Sequence, residues 1–461
     1  MNTRINARAV VLLFADIVFV ALGFILAAIG RLGIVEGLGW LGNEFAAIKI
    51  LFAVVTSICT LYLFDLYDFS VISSRRELLV RLIQSLGTTW LFLAVIYFFF
   101  PQFMVGRGIA ALSAPIILLF LLGSRMAIHY YLGHPEIGER VVLVGSGPAI
   151  DEMNYATLNR RDLGYRIVGF VSGEKLNGNR PLSSLEYLGQ LSELERVIGE
   201  ERVSRVVVGV SDRRGKFPLD MLLKLRLSGG LAIEESTTYL ERVTGKVHLD
   251  SLLPSWLIFS ARPRETRIMQ VFRDVSQRIL AFVGLITSFP FALLTALAIK
   301  LESRGPIFYK QTRVGKNGKH FTLVKFRSMR VDAERDGAVW ASVSDDRTTR
   351  VGRVIRKLRL DEIPQFWNII KGDMSFVGPR PERPEFVAKL AESIPYYEYR
   401  HLVTPGLTGW AQVNYPYGAS IEESRNKLEY DLYYIKNQSI SLDLVILFET
   451  VKTILFGRGG R

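Results

Sequence analysis

The sequence has almost no cysteine and an acidic content too low to balance its bases. Its 461 residues include one cysteine, Cys59, which lies in an apolar run. A single cysteine excludes a disulfide within the chain and a metal site built from thiolates. The 44 acidic residues face 57 lysines and arginines, so the formal net charge is +13. Such an excess suits nucleic acid, anionic lipid headgroups or phosphorylated substrates. The membrane segments described next favour lipid and phosphate, and we expect no nucleic acid partner.

Long apolar runs dominate the first third of the chain, and hydrophobic residues make up 49% of the whole. Four runs approach the length that a helix needs to cross about 30 Å of hydrocarbon, namely 9–29, 45–64, 86–100 and 109–128. We therefore predict a four-helix transmembrane region over 1–132. No small-residue cleavage site follows the first run, which favours a retained helix over a signal peptide. Asp16 lies in this run and is expected to be paired within the bundle rather than functional.

The charges that flank these runs predict their direction. Basic residues cluster before the first run, between the second and third, and after the fourth, and the other two loops have few. The positive-inside rule then places both ends of the region in the cytoplasm. The clustered residues are Arg4, Arg8, Arg75, Arg76, Arg81, Arg125 and His129.

Residues 139–245 alternate between strand-like and helix-like stretches, which predicts a parallel, doubly wound, Rossmann-like α/β domain. The first strand leads into a glycine turn, Gly145-Ser-Gly147, and further strand candidates are 165–171, 203–210 and 231–235. The two glycines match the start of a dinucleotide fingerprint, but Ile150 replaces its third glycine and no acid ends the second strand. Of the two interpretations, we favour glycines that only shape the turn, rather than glycines that bind a nucleotide. We therefore expect no NAD.

A linker-like stretch, 246–272, leads to an apolar segment at 279–299. Basic residues stand on both sides of this segment, so both of its ends are expected to face the cytoplasm. Pro290 removes a helical hydrogen bond near its middle, and Ser288 can satisfy a freed carbonyl. We predict a bent, re-entrant helix within a catalytic domain at 273–461, against the alternative of a straight fifth crossing. The apolar tail, 439–457, is interpreted as a helix lying on the membrane or packed on its own domain.

Two adjacent acids, Asp361 and Glu362, stand just before another helix-like stretch. The simplest interpretation is structural, with Asp361 as the helix cap and Glu362 as a first-turn acid. Their neighbours favour phosphate chemistry, because an arginine recurs at every third position of the preceding stretch and other basic runs lie nearby. The basic residues are Arg347, Arg350, Arg353, Arg356, Lys357 and Arg359, with Lys325, Arg327 and Arg330 on a predicted strand and Arg380 in a rigid turn. The sequence offers no His and Cys cluster for zinc, so oxygen ligands indicate Mg²⁺ or Mn²⁺.

These motifs resemble the bacterial sugar transferases, the monotopic phosphoglycosyl transferases that begin exopolysaccharide and other surface glycan assembly. The resemblance covers about 268–461 and depends on several ordered motifs. They are Gln311-Thr-Arg-Val-Gly315, Lys325-Phe-Arg-Ser-Met329, Leu360-Asp-Glu-Ile-Pro-Gln365, Gly372-Asp-Met-Ser-Phe-Val-Gly-Pro-Arg-Pro381 and Thr404-Pro-Gly-Leu-Thr-Gly-Trp-Ala-Gln-Val-Asn414. The whole architecture is similar to the long, exopolysaccharide-type members. One departure is Phe289, which stands between Ser288 and Pro290 where shorter members have Ser directly before Pro.

The resemblance implies a two-step transfer at the cytoplasmic face of the bacterial inner membrane. Asp361 attacks the sugar-bearing phosphorus of a UDP-sugar, such as UDP-glucose or UDP-galactose, and UMP leaves. Polyprenyl (undecaprenyl) phosphate then takes the hexose-1-phosphate. Glu362 helps to bind metal or accepts a proton, and the metal ligands are Asp361 and Glu362. Phosphate groups are bound by Lys325, Arg327, Arg356, Arg380 and Arg313. A homodimer is consistent with the long members.

Two other classes of function remain open from the sequence. A membrane-tethered, NAD-dependent sugar-nucleotide dehydratase or epimerase would also join helices to a Rossmann domain, but the chain has no Tyr-x-x-x-Lys pair. A membrane scaffold with basic faces that only bind lipid is the non-catalytic alternative. Bound NAD would support the first, and turnover that depends on Asp361 would exclude the second.

Overall fold

The computed structural model describes residues 7–43, 45–67, 75–132, 139–160, 163–173, 185–209, 219–227, 231–251, 267–333, 346–415 and 420–456. Arg4 and most of the predicted linker, 252–266, lie outside these residues, as do the side chains of Arg8, Arg75, Arg76 and His129. The chain divides into two compact units, Arg4–Tyr239 and Leu240–Arg461. The second unit therefore begins before the predicted linker does.

The first unit starts with helices in each of the four predicted apolar runs. The long ones are α1 (Ala7–Leu32), α3 (Ala46–Leu63), α4 (Arg75–Phe99) and α5 (Arg107–Leu132), and a short α2 (Ile34–Leu41) follows α1. The four long helices share one apolar core. Asp16 lies in it and forms a two-point ion pair with Arg125, whose Nη2 donates to Oδ2 at 2.7 Å. Both residues are buried, so the predicted pairing of Asp16 within the helices is confirmed.

A five-stranded parallel sheet completes the first unit, with the strand order β3-β2-β1-β4-β5. Its strands are β1 (Glu139–Val144), β2 (Tyr165–Ser172), β3 (Tyr187–Gln190), β4 (Arg205–Val208) and β5 (Ala232–Glu235). The connecting helices are α6 (Pro148–Leu158), α7 (Leu194–Glu200) and α8 (Leu219–Leu227), and α9 (Ser236–Thr244) follows β5. The predicted parallel α/β sheet is confirmed, and β3 is an additional edge strand. Gly145 has a φ of +145°, and a Cβ there would lie 3.2 Å from the backbone of Gly209, so this glycine allows close packing of two turns.

The second unit begins with α10 (Arg267–Glu302), which is longer than the predicted segment. A hairpin of β6 (Phe308–Val314) and β7 (His320–Phe326) follows, and β8 (Ser375–Val377) pairs in parallel with β9 (Gly406–Thr408). Around these strands lie α11 (Arg350–Lys357), α12 (Gln365–Lys371), α13 (Pro384–Ser393), α14 (Trp410–Asn414), α15 (Ile421–Asn437) and α16 (Ile440–Phe456).

Helix α10 packs on this α/β fold at both ends of its apolar segment, 279–299. Near the start of that segment, Ala281 is buried with Ile369 and Met374. Near its end, Ile299 is buried with Ile355 and Ile363. Between these contacts, most large apolar side chains of α10 are exposed. The helix is one of five among the described residues that are long and apolar enough to cross a membrane.

The middle of α10 differs in detail from the predicted break. Helical structure is continuous through Pro290, which removes the N–H that would donate to the carbonyl of Ile286. Ser288 does not satisfy that carbonyl, because its hydroxyl donates to the carbonyl oxygen of Leu285 at 3.4 Å. The expectation that Ser288 compensates for the proline is therefore corrected, and the re-entrant path stays a prediction.

Candidate active site

The acid pair lies in a tight turn between α11 and α12. Helix α11 ends at Lys357, and Arg359 then adopts a left-handed conformation with a φ of 57°. This reverses the chain into a 3₁₀ turn, Leu360–Glu362, after which α12 begins at Gln365. Ile363 anchors the turn against Ile299 of α10. Because a non-glycine residue in this conformation costs about 1–3 kcal/mol, the surrounding packing holds the turn in place.

The turn contradicts the helix-cap interpretation of Asp361. The N-cap position of α12 is Pro364, and no side chain makes a capping hydrogen bond there. Asp361 is 8% exposed. Among the described residues, its carboxylate makes no capping hydrogen bond to a backbone N–H. A buried carboxylate without such a partner is costly in a purely structural role, but it leaves its oxygens available for chemistry.

Basic groups from three other elements surround Asp361. Burial and the charge of Glu362 together raise the pKa of Asp361 to about 6, against the opposing charges of Lys325, Arg356 and Arg380. Lys325 is on β7, Arg356 is on α11, and Arg380 follows β8. The pKa of about 6 leaves Asp361 mainly ionised at pH 7, as a nucleophilic carboxylate requires.

Lys325 lies beside the acid on the hairpin. Its Nζ is 5.2 Å from the centre of the Tyr309 ring, and burial lowers its pKa to about 8 despite the attraction of Asp361. Asn368 of α12 fixes the hairpin, because its Oδ1 accepts from the backbone N–H of Val324 at 3.2 Å. This contact keeps the strand that carries Lys325 next to the helix that follows the acids.

Glu362 has partners that Asp361 lacks. Its Oε1 accepts from Arg359 Nη1 at 3.2 Å and lies 3.5 Å from Arg380 Nη2. These contacts orient Glu362 beside Asp361 and bring the guanidinium of Arg380 to the acid pair. The two adjacent acids thus differ in environment, a difference that their adjacent sequence positions do not reveal.

The turn that carries Arg380 is held at its backbone by two further arginines. Arg400 Nη2 donates to the carbonyl oxygen of Arg380 at 3.0 Å, and Arg313 Nη1 donates to that of Pro381 at 2.8 Å. Arg400 is itself paired with Asp431 at 2.8 Å, and both are buried. Sequence reasoning missed Arg400 and Asp431, because they lie on different elements and no local motif joins them.

The predicted phosphate-binding residues are not all brought together. Lys325, Arg356 and Arg380 act on Asp361. Arg313 is beside Lys325, although its guanidinium is engaged by the Pro381 carbonyl. Arg327 is different, because it donates to the carbonyl oxygens of Ser303 and Arg304, at 3.0 and 3.1 Å, at the end of α10. We therefore assign Arg327 to the support of that helix end rather than to phosphate binding.

The donor atoms fit a magnesium or manganese ion only in part. Among the described residues, no group of three or more His, Cys, Asp or Glu side chains could hold a metal. Asp361 and Glu362 offer two adjacent carboxylates, which matches the way Mg²⁺ takes one or two carboxylates and fills its other positions with water and substrate phosphate. The predicted metal ligands therefore fit a substrate-completed site.

Fold and site together define a membrane protein in which an α/β domain with an apolar helix carries a buried acid among basic groups. Residues 268–457 match the family described as Bacterial sugar transferase, and residues 62–226 match a CoA-binding domain. The chain is 33% identical over 371 residues to the undecaprenyl-phosphate glucose phosphotransferase of Komagataeibacter xylinus, covering 77% of this chain and 66% of that protein. It is 32% identical over 318 residues to the UDP-glucose:undecaprenyl-phosphate glucose-1-phosphate transferase of Klebsiella pneumoniae, covering 68% and 67%.

A third relative matches a shorter stretch more closely. The UDP-N-acetylgalactosamine-undecaprenyl-phosphate N-acetylgalactosaminephosphotransferase of Aeromonas hydrophila is 49% identical over 222 residues, covering 48% of this chain and 52% of that protein. The matches thus span about half of that relative and 66% of the one from Komagataeibacter xylinus. With these matches, the chain belongs to the bacterial sugar transferase family.

The match to a CoA-binding domain finds little support in the residues of the sheet. A nucleotide at such a sheet places its pyrophosphate at the start of the helix after β1. Here Pro148 removes an N–H donor from the first turn of α6, and Asp151 adds a carboxylate to it. These residues do not fit a pyrophosphate, so we assign no step to coenzyme A.

Proposed function

We propose that the chain transfers a hexose-1-phosphate from a UDP-sugar to polyprenyl phosphate through a covalent intermediate on Asp361. The observation that carries this proposal is the buried Asp361 carboxylate, which has no capping role and lies among Lys325, Arg356 and Arg380. A buried acid with this basic surrounding suits attack on a phosphate, since attack by one anion on another needs nearby positive charge.

The first step forms a bond between an Asp361 oxygen and the sugar-bearing phosphorus. The bond from that phosphorus to the bridging oxygen breaks, and UMP leaves with the electron pair. In the second step an oxygen of the lipid phosphate attacks the same phosphorus, and the Asp361 oxygen leaves as a carboxylate. Glu362, oriented by Arg359 at 3.2 Å, accepts any proton that the lipid phosphate brings. Asp361 and Glu362 would hold Mg²⁺ or Mn²⁺, which supplies positive charge to the transferred group.

The surface next to the acids supports a lipid substrate. Exposed Val354 and Leu358 of α11 and exposed Trp367 of α12 flank the acid turn. Exposed bases lie among them, at Arg353 and Lys357. A mixture of apolar and basic side chains suits the interface of an anionic membrane, where the phosphate of a polyprenyl lipid is found.

The contacts of α10 support a re-entrant path with the α/β domain on the cytoplasmic face of the inner membrane. Gln277, just before the apolar segment of α10, accepts from the backbone N–H of Phe376 at 3.4 Å. Glu302, at its end, accepts from the backbone N–H of Val351 at 3.1 Å. Both ends of the apolar stretch therefore touch the same α/β fold, which supports the re-entrant path over a straight crossing. After replacement of Cys59 by serine, cysteines at positions 273 and 304 should label from the same side, and labelling from opposite sides would refute this path.

The test of the reaction measures UMP release by the purified full chain with Mg²⁺, polyprenyl phosphate and a panel of UDP-sugars. The panel includes UDP-glucose and UDP-N-acetylgalactosamine, which the relatives' names contain, and UDP-galactose. Asp361→Asn should abolish release and the radiolabelled sugar-phosphate on the protein. Glu392→Gln, at an exposed acid of α13, is the matched control and should retain the wild-type rate. Equal rates for wild type and Asp361→Asn would overturn the proposal, and strict dependence on Asp361 would exclude the scaffold alternative.

A further inference from the structure

A segment that precedes the family match is built into the second unit. Residues 240–251, here called the strap, run from the end of α9 to a 3₁₀ turn at Leu249–Ser251. Val247 and Leu249 of the strap are buried with Leu428 and Leu432 of α15. The sequence predicted a linker from residue 246, yet these residues pack like part of the core. The strap therefore has a fixed position on α15.

Glu429 of α15 is the centre of the strap contacts and is buried. Its Oε2 is 2.8 Å from Lys246 Nζ, and its Oε1 accepts from the backbone N–H of Leu249 at 3.1 Å. Its backbone carbonyl also accepts from the N–H of Val247 at 3.0 Å. One α15 residue thus binds three strap residues, Lys246, Val247 and Leu249, and removing one partner of a buried ion pair is costly.

Both ends of the strap make further polar contacts. Glu241 accepts from Lys436 Nζ at 2.7 Å and from Asn437 Nδ2 at 3.2 Å. The indole Nε1 of Trp410 donates to the carbonyl oxygen of Gly245 at 2.7 Å. The strap therefore contacts α15 over about two turns and also contacts α14, which follows β9 of the small sheet.

The opposite side of α15 holds the turn that carries Arg380. Since each residue advances a helix by about 100°, Asp431 lies roughly 200° around α15 from Glu429, and Tyr434 about 140°. Asp431 binds Arg400, which donates to the Arg380 carbonyl oxygen at 3.0 Å. The hydroxyl oxygen of Tyr434 lies 3.3 Å from the carbonyl oxygen of Val377 and 2.8 Å from Asp443 Oδ1, which compete for its one proton. Helix α15 thus lies between the strap and the turn whose backbone positions Arg380 beside Glu362.

We propose that the strap is a positioning element of the active site. By fixing α15 through Glu429 and Glu241, it fixes the Asp431–Arg400 pair and hence the Arg380 turn. The catalytic benefit of this positioning rests on the transferase function proposed above. The coupling between the strap and the Arg380 turn can be measured without activity. It extends the working transferase unit to residue 240, before the stretch that matches the family.

The test reverses one charge of the strap in the full chain. Lys246→Glu places like charges at the strap contact, and Lys246→Glu with Glu429→Lys restores an ion pair of opposite polarity. Lys246→Met serves as a milder variant if the reversal prevents folding. Asp250→Asn is the matched control, because Asp250 lies in the same strap and pairs with Arg425 of α15, but its side chain is 85% exposed and an exposed ion pair contributes little. Hydrogen exchange of peptides covering 240–251 and 378–382 is measured beside kcat and KM for UMP release.

We expect Lys246→Glu to raise exchange in both peptides and to lower kcat about tenfold, because small displacements of positioning groups are expensive in rate. KM for the UDP-sugar should change less than kcat. The double variant should recover both readouts, and Asp250→Asn should match wild type. Faster exchange at 240–251 with unchanged exchange at 378–382 would overturn the proposal. If wild type releases no UMP, the transferase function fails, and the exchange comparison still decides the coupling.

Discussion

Replacing Lys325 with methionine is expected to stabilise the protein while reducing its activity. Burial lowers the pKa of Lys325 from 10.5 to about 8. Each pKa unit corresponds to about 1.4 kcal/mol, so holding this charge costs the folded state about 3 kcal/mol as an upper limit. Methionine has a similar length and no charge, and it can fill the space beside Tyr309. For a unit of this size, removal of the cost raises the melting temperature by up to about 10 °C.

The sign of the pH dependence follows from the lowered pKa. Below pH 8 the lysine is charged in both folded and unfolded states, so the folded state bears the whole cost. Between pH 8 and 10.5 the folded state releases its proton first and the cost declines. The stability gained by Lys325→Met should therefore be full at pH 7 and nearly absent at pH 10.5.

Activity should move in the opposite direction. Lys325 lowers the pKa of Asp361, so its loss protonates more of the nucleophile at pH 7 and removes positive charge near the incoming phosphates. Loss of one such electrostatic group costs about 10²- to 10³-fold in kcat. Thermal melting in detergent at both pH values and UMP release at pH 7 check the two effects. Lys319→Met, at an exposed lysine of the same hairpin, is the control. A less stable Lys325→Met protein at pH 7, or one with wild-type activity, would refute the reasoning.

Three other substitutions test separate parts of the structure. Gly406→Ala should destabilise the protein by about 1–3 kcal/mol and reduce UMP release, because the new Cβ would overlap the backbone nitrogen of Gly378. His401→Gln should flatten the fall in melting temperature between pH 6.5 and 4, because burial lowers the histidine pKa to about 4 and only the unfolded state binds the proton in that range. Asp16→Asn should destabilise the helices by about 3–5 kcal/mol, because it leaves Arg125 buried without its partner. The charge-swapped variant, Asp16→Arg with Arg125→Asp, should recover part of this loss. An unchanged melting temperature for Asp16→Asn would contradict the pairing.

The elements that the sequence predicts best are those with a local signal. The strand candidate 165–171 corresponds to β2 at Tyr165–Ser172, because a short apolar run identifies a buried strand. Strand β3 was missed, since Tyr187–Gln190 is a four-residue edge strand that is recognisable only by its pairing with β2. The third transmembrane candidate, at 86–100, was too short, because the polar residues that begin α4 at Arg75 mask its first turns.

The active-site residues also divide into those with a local sequence signal and those without one. Asp361, Lys325 and Arg380 were predicted from motifs and meet in the structure. Arg327 belongs to the same basic run as Lys325, but its guanidinium donates to the backbone after α10, a difference that the sequence of the run does not reveal. The left-handed Arg359 has no sequence signal, since tertiary packing rather than residue type imposes that conformation on an arginine.

Three unfavourable features coincide within this small region of the fold. Arg359 is held in a left-handed conformation, Asp361 is buried with a raised pKa, and Lys325 is partly buried with a lowered pKa. A structural acid at the start of a helix would bind the free backbone N–H groups and keep a low pKa, whereas Asp361 makes no such capping bond and its pKa is raised. These costs fall together where the proposed attack on phosphorus needs a desolvated carboxylate beside cations. Such a concentration of strain and unmatched charge is expected where a site is selected for reactivity rather than for packing.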